Sequence, residues 1–238
     1  MKFVYLNHTL NRYTPLYGNS SGINIIKVRQ ILQGDTSNNT EVSMPLHSGT
    51  HVDASYHFDN EGKKISDYVA DFWVFNHVYF IEINVEPSEI ILMARLEKEF
   101  EKIPYESDFL IVKTGFEKYR NNVTTAKSNL DVYIMNNPGF APEVGIWLRQ
   151  NRKIRAIGFD FISLTSYQNR DLGRVAHRAF LSSLPDGFTK FVGDPVLIVE
   201  DMKLSEISKA PEQVIIAPLL VENADGAPVT IFAKMSST

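Results

Sequence analysis

The stretch from residue 47 to residue 58 reads His47-Ser48-Gly49-Thr50-His51-Val52-Asp53-Ala54-Ser55-Tyr56-His57-Phe58. Three of the six histidines of the chain fall within its first eleven residues, where an even spread would place about 0.3. Its polar candidates all have odd numbers: His47, His51, Asp53 and His57. In an extended chain these four side chains would therefore project from one face.

Two imidazoles and a carboxylate that converge form a metal site, because imidazole nitrogen and carboxylate oxygen each coordinate at about 2.0–2.2 Å. A straight strand would hold the Cα atoms of His47 and His51 about 13 Å apart. The backbone therefore has to bend between them, and Gly49 permits a bend. We predict a bent loop that leaves a strand, with His47, His51 and Asp53 as ligands. His57 is either a fourth ligand or a free imidazole that moves protons near neutral pH.

The composition is that of a folded protein without thiol chemistry. The chain has 238 residues, of which 44% are hydrophobic and 22% charged, and it has no cysteine. This excludes disulfides, a thiolate nucleophile and Cys-ligated zinc or iron–sulfur sites. A net charge of −4 argues against a nucleic-acid partner. No run of about 18 apolar residues could span a membrane, and the N-terminal residues lack the apolar core of a signal peptide. We therefore expect a cytoplasmic protein.

Short apolar segments alternate with helical patterns along the chain. Candidate strands, several of them apolar throughout as doubly buried strands are, lie at 23–31, 78–83, 109–113, 154–159, 196–199, 214–219 and 229–233. Helices are predicted over 88–102 with Ser88 as the N-cap, from Pro142 onward, and over 173–182. No repeat or linker interrupts the chain. The pattern predicts one layered α/β domain over residues 1–238, with a mixed sheet and flanking helices.

The same stretch resembles the His-x-Gly-Thr-His-x-Asp-x-Pro-x-His-Phe motif of the cyclase-like metal hydrolases, the family of bacterial kynurenine formamidase and isatin hydrolase. Every defined position agrees except Ser55, where the family usually has Pro. Further similarities cover nearly the whole chain, among them Pro15-Leu16-Tyr17, Phe109 to Gly115, Pro138 to Phe140, Gly158 to Ser163 and Val221 to Ala233.

The resemblance implies a swivelling β/β/α fold and a centre of one or two divalent ions, Zn²⁺ or Mn²⁺. The implied metal ligands are His47, His51, Asp53, His177 and Glu200. Asp53 would bridge to a second ion held by His177 and Glu200, and His57 would transfer protons. Glu200 follows His177 at a longer spacing than the family usually has, with residues 184–187 resembling an insertion. The resemblance also implies a homodimer or a homotetramer.

Three further residues are predicted to support the site. Asp160 follows a strand in Gly-Phe-Asp, where it either orients a ligating imidazole or bonds the backbone of its own turn. Trp73 and Phe72 belong to an aromatic cluster shortly after the metal loop. Such clusters usually belong to the core, yet an aromatic wall beside a metal suits a flat substrate. We predict that both contact the substrate.

The predicted activity is metal-dependent hydrolysis of a small-molecule amide C–N bond, in an aryl formamide or a cyclic amide, by a metal-bound hydroxide. A bound ion lowers the pKa of its water from 15.7 towards about 7, and His57 would deliver a proton to the leaving nitrogen. No Gly-x-Ser-x-Gly elbow supports a serine route. Two alternatives remain open: a non-haem iron oxygenase that uses two His and one carboxylate, and a non-catalytic ligand-binding member of the same fold.

Overall fold

The computed structural model describes residues 2–20, 22–120, 127–183 and 191–236. The insertion predicted at residues 184–187 lies outside these ranges. The strands are β1 (Lys2–Tyr5), β2 (Asn24–Arg29), β3 (Asn39–Ser43), β4 (His51–Asp53), β5 (Val74–Phe75), β6 (Val78–Glu82), β7 (Ile90–Ile91), β8 (Phe109–Lys113), β9 (Gly139–Phe140), β10 (Ala156–Phe159), β11 (Leu197–Glu200), β12 (Gln213–Pro218) and β13 (Gly226–Met235). The helices are α1 (Met93–Phe100), α2 (Lys127–Met135), α3 (Pro142–Asn151) and α4 (Arg170–Leu181).

One mixed sheet organises the fold. Its strand order is β5-β12-β13-β4-β11-β10-β8-β6, and β1 pairs with β13. Strands β6, β8, β10 and β11 are parallel, whereas β4, β13, β12 and β5 continue the sheet antiparallel. Only two residues separate β5 from β6, although these strands stand at opposite ends of the order. The sheet therefore curls into a nearly closed, barrel-like form. The predicted mixed α/β class with flanking helices is confirmed.

The central parallel strands are buried on both faces, as their apolar sequences predict. In β8, Leu110 and Val112 pack into a core shared with the helices, whereas Phe109 and Ile111 pack into a second core with residues of β12 and β13. All four side chains are fully buried. Burial of a side chain of this size stabilises the fold by roughly 1.5–3 kcal/mol, so β8 is held from both sides.

The first predicted helix begins later than expected. Ser88 is not a cap, because it has a φ of 62°, and β7 then pairs with β9. That pairing buries Ile91 completely and requires extended backbone, so α1 starts only at Met93. The helices predicted at Pro142 and around 173–182 are confirmed as α3 and α4, whereas α2 and β3 were not predicted. Among the described helices, none combines the length and apolar character that a membrane crossing requires.

The bend predicted at Gly49 is confirmed, since this residue has a φ of 62°. A strand follows the bend, whereas we expected the loop to leave one. This strand, β4, lies between β11 and β13. In its register His51 stands opposite Glu200, and Asp53 stands opposite Ile198 and Gly226. Residues 149 positions apart in the sequence are thereby placed side by side.

Candidate metal centre

The structure gathers the predicted ligands around one cavity of about 460 Å³. The side chains that line it include His47, His51, Asp53, His57, His177 and Glu200. They come from four elements: the bend with β4, the turn Ser55–His57, helix α4 and the carboxyl end of β11. Ligand sites in parallel α/β sheets commonly lie at the carboxyl ends of the strands, and β11 follows that rule.

Asp53 stands at the centre of the group and is almost fully buried. Its Oδ1 lies 2.8 Å from Nδ1 of His47 and 3.4 Å from Nε2 of His51. Its Oδ2 lies 3.7 Å from Nε2 of His177. The two oxygens therefore face different imidazoles, which is the arrangement that a carboxylate bridging two ions requires.

The rings of His51 and His177 are each oriented by a backbone carbonyl. Nδ1 of His51 lies 2.8 Å from the Gly49 carbonyl, and Nδ1 of His177 lies 3.0 Å from the Gly173 carbonyl. A carbonyl only accepts, so each Nδ1 carries the proton. Each Nε2 is then left to face the carboxylates. Metal-bound histidines are held in this way by a partner on the other ring nitrogen.

Glu200 is a buried carboxylate at the end of β11. Its Oε1 accepts a 2.6 Å hydrogen bond from the Leu164 amide and lies 3.6 Å from Nε2 of His177. Its Oε2 lies 3.3 Å from Nε2 of His51. Burying a carboxylate is costly unless it is paired, and here imidazoles supply the pairing. Nε2 of His51 therefore lies between Glu200 and Asp53 Oδ1, the oxygen that also contacts His47.

Asp225 is a member of the site that the sequence analysis did not identify. Its Oδ2 lies 2.9 Å from both Nε2 of His47 and Nδ1 of His57. These hydrogen bonds hold the pKa of Asp225 well below its usual range. The residue precedes β13, which pairs with β4. The only signal in the sequence was an acidic residue in Ala-Asp-Gly, and that pattern is common in ordinary turns.

The candidate ligands combine buried carboxylates with imidazoles. Burial lowers the pKa of His47 and His177, but the neighbouring carboxylates together outweigh it, Asp53 with Asp225 at His47 and Asp53 with Glu200 at His177, and raise the pKa of each to about 9. Burial raises the pKa of Asp53, yet the neighbouring imidazoles bring it well below its usual range. The protons on these rings thus occupy places where a cation would bind.

The donor set fits a divalent cation. Two triplets, His47–Asp53–His57 and His51–Asp53–Glu200, have ligand atoms within 4.8 Å of one another. In the described part of the chain, the ion pairs of Asp53 and Glu200 involve imidazoles and neither lysine nor arginine. Imidazole nitrogen and carboxylate oxygen are ligands that zinc and manganese accept.

The predicted aromatic wall lies elsewhere. Trp73 is buried, with its ring 5.5 Å from Tyr68 and 5.2 Å from Phe72. Phe72 lies 4.9 Å from the guanidinium of Arg155. The turn that carries both rings packs against β12, which directs them into the second core and away from the cavity. The aromatic side chains that do line the cavity are those of Tyr17 and Phe58.

Asp160 does not orient an imidazole in the structure. Its Oδ1 accepts hydrogen bonds from the amide and hydroxyl of Thr114, at 2.8 and 2.6 Å, and its Oδ2 accepts the Gly115 amide at 2.8 Å. Asp160 therefore fixes the turn after the neighbouring strand β8. As far as the structure describes the chain, it does not bond the backbone of the turn that follows β10, the strand it ends. Burial raises the pKa of Asp160 to about 6. The backbone carbonyls of Gly49 and Gly173 take the role predicted for it.

The chain is similar in sequence and in fold to known proteins. The model of the family described as "Putative cyclase" matches residues 4–165, more than half of the chain. A kynurenine formamidase of Bacillus anthracis is 29% identical over 194 residues, which cover 79% of this chain and 76% of that protein.

Two solved structures share the fold. Isatin hydrolase A from Labrenzia aggregata, bound to benzyl benzoate, has a TM-score of 0.78 at 20% identity, over 99% of this chain and 94% of that one. An isatin hydrolase bound to the product analogue thioisatinate has a TM-score of 0.77 at 16% identity, over 98% of this chain and 91% of that one.

Proposed function

We propose that this chain, which belongs to the putative cyclase family, is a metal-dependent hydrolase that cleaves the C–N bond of a small-molecule amide. An aryl formamide or a cyclic amide is the substrate class that its relatives' names suggest. The observation that carries the proposal is the convergence of three imidazoles and two buried carboxylates on one cavity, with His57 beside them.

We propose His47, His51, Asp53, His177 and Glu200 as the ligands of two ions, Zn²⁺ or Mn²⁺. A catalytic zinc usually takes three protein ligands, so five donors exceed what one ion needs. The two oxygens of Asp53 face different imidazoles, which supports a bridge. Such ions would lower the pKa of a bound water towards neutrality and polarise the amide carbonyl.

His57 is the residue we propose for proton transfer. Asp225 accepts the hydrogen bond from its Nδ1, which fixes the ring and leaves Nε2 with a free lone pair. Nε2 can then take the proton from the attacking water and deliver it to the departing nitrogen, which leaves as a neutral amine. Phe58 stacks on His177 with ring centroids 4.8 Å apart, so an apolar ring adjoins the proposed reacting groups.

Hydrolysis assays on metal-loaded protein test this function. A panel of formanilides and isatin-type cyclic amides should include at least one substrate that is cleaved. Activity should disappear on chelation and return with zinc or manganese. It should be lost in His51→Ala. His77→Ala is the matched control, because His77 is exposed and lies outside the cavity. Metal analysis should give about two ions per chain.

The same assays separate the alternatives. Consumption of dioxygen with the substrate would indicate an oxygenase, since hydrolysis needs none. Binding without turnover across the panel would indicate a non-catalytic member of the family.

We also propose assembly as a homodimer or a homotetramer, on the basis of the family. Light scattering coupled to size-exclusion chromatography measures the mass directly, and a monomer would contradict this part of the proposal.

A further inference from the structure

Two guanidinium groups line the same cavity as the candidate metal ligands. Arg170 and Arg174 lie four residues apart on α4, and His177 follows three residues later. Residues at these spacings share one face of a helix. Along the helix axis, Arg174 is about 4.5 Å and Arg170 about 10.5 Å from His177. Positive charge therefore extends along α4 away from the candidate metal centre.

Neither guanidinium is neutralised by a buried partner. The Arg170 guanidinium lies 5.0 Å from the ring centre of Tyr167, and no carboxylate of the described residues forms an ion pair with it. Nη1 of Arg174 lies 2.6 Å from Asp171, whose side chain is 96% exposed. Exposed pairs at this spacing contribute little. Both charges can therefore meet a ligand from the cavity side.

A third group on this wall also calls for a ligand. The hydroxyl of Tyr17 is buried and has no hydrogen-bond partner among the described residues. Its ring contacts Tyr167 edge-on at 5.5 Å, and Tyr167 in turn contacts the guanidinium of Arg170. A buried hydroxyl without a partner is costly. An acceptor oxygen of a bound molecule would remove that cost.

The acidic residues of the cavity are already committed. In the described part of the lining, the carboxylates are Asp53 and Glu200, and both face the candidate metal centre. Beside the cavity, Asp225 accepts hydrogen bonds from His47 and His57, so an ammonium group on a substrate would meet two guanidiniums while all three carboxylates are engaged elsewhere. With the proposed divalent ions bound, the charge of these carboxylates would be balanced and the arginines would leave an excess of positive charge.

We propose that this cavity selects amides that carry a remote carboxylate and no ammonium, and that Arg170 and Arg174 bind this carboxylate. The inference rests on the hydrolysis proposed above and specifies its substrates. The reacting amide would lie beside His57 and His177, and the carboxylate one to two helical turns away along α4. Guanidinium and carboxylate form strong charge-assisted hydrogen bonds.

Three matched substrates test the selection. They are 2-formamidophenyl ketones whose alkyl chain ends in a carboxylate, in its methyl ester, or in an α-amino acid. We expect kcat/KM to be at least about tenfold higher for the carboxylate than for the other two, which corresponds to one charge-assisted contact. Arg170→Gln and Arg174→Gln should each lower kcat/KM more for the carboxylate than for the ester, so that most of this preference is lost. Higher ionic strength should also reduce it.

Arg178→Gln is the matched control, because it removes the same charge from α4 at a residue outside the cavity lining. A preference that falls equally in all three variants would reflect net charge alone and would overturn the proposal. Equal rates on the three substrates, or a preference for the amino acid, would overturn it as well.

A binding measurement keeps this inference separate from the proposed function. The aniline that carries the same carboxylate has no amide to cleave, and its affinity can be measured by calorimetry on metal-loaded protein. Weakening by about tenfold in Arg170→Gln or Arg174→Gln supports the anion site, even if none of the formamides is hydrolysed. Unchanged affinity in both variants would place the carboxylate on the metal and contradict the proposal.

Discussion

Asp225 fixes the ring of His57, the residue that we propose for proton transfer. Asp225 accepts hydrogen bonds from both His47 and His57 through a single oxygen. We expect His57→Gln to lower kcat by about 10²–10⁴-fold, because a general acid–base residue contributes this much. Metal content, measured by mass spectrometry, should stay unchanged. A loss of bound metal in the same variant would instead make His57 a ligand.

Asp160 sets a pH dependence of stability. Its pKa in the folded protein is about 6, above the ordinary value, so the folded state holds this proton more tightly than the unfolded state. The stabilisation is present below about pH 4 and is lost as the pH rises to 6. Two pKa units correspond to about 3 kcal/mol. Urea unfolding of wild type and Asp160→Asn from pH 4 to 7 measures this. If the difference in their free energies of unfolding does not change with pH, the prediction is wrong.

Helix α4 depends on close packing at one glycine. A Cβ added to Gly173 would lie 2.3 Å from side-chain atoms of Thr165, and the Gly173 carbonyl holds Nδ1 of His177. Gly173→Ala should therefore displace this turn of α4, lower stability by about 1–3 kcal/mol and weaken metal binding. Gly22→Ala is the control, since nothing lies within 4 Å of that position. Thermal unfolding and metal titration measure both effects, and unchanged metal affinity in Gly173→Ala would show that α4 does not hold His177 in place.

Strand β4 joins two parts of the sheet, and contacts next to it hold two candidate ligands in place. The hydroxyl of Thr50 donates a 2.5 Å hydrogen bond to the carbonyl of Asp201, and Arg120 binds the Asp201 carboxylate through two nitrogens at 2.7 and 2.9 Å. These contacts tie the residue before His51 to the residue after Glu200. The two ligands are thus held by backbone as well as by register.

Across the chain as a whole, metal and folding should be coupled. Without a cation, the folded protein has to bury Asp53 and Glu200 against protonated imidazoles. A ligand present at about 1,000 times its Kd stabilises by about 4.1 kcal/mol, which raises Tm by about 10 °C for a chain of this size. Calorimetry with and without a chelator measures the shift. An identical Tm for protein shown to carry metal would contradict the coupling.

Much of the architecture was predictable from local patterns. The apolar runs at 109–113 and 196–199 are strands buried on both faces, and Pro142 does begin a helix. Short elements were harder, because β7 has two residues and exists only through its pairing with β9. That pairing overrode the helical pattern from Ser88.

The candidate site divides in the same way. Residues 47–58 place four candidate site residues close together in the sequence. The bend at Gly49 was predictable because two imidazoles can reach one ion only if the backbone between them bends. The roles of Asp225 and of the carbonyls of Gly49 and Gly173 could not be predicted from the sequence. Their roles depend on the pairing of β4 with β13 and on where α4 packs. The aromatic rings of Phe72 and Trp73 were misplaced for the same reason, since spacing along the chain does not reveal which side of a sheet a turn packs against.

Residue types and their spacing were thus sufficient to indicate a histidine- and carboxylate-based metal site in a mixed α/β fold, because ligand chemistry is a property of individual side chains. Folding alone established which oxygen faces which ring, which charges line the cavity and which aromatics adjoin it. Those contacts join residues far apart in the sequence, such as His57 and Asp225 at a separation of 168. Strand register and helix packing bring such residues together, and neither is encoded in a short segment.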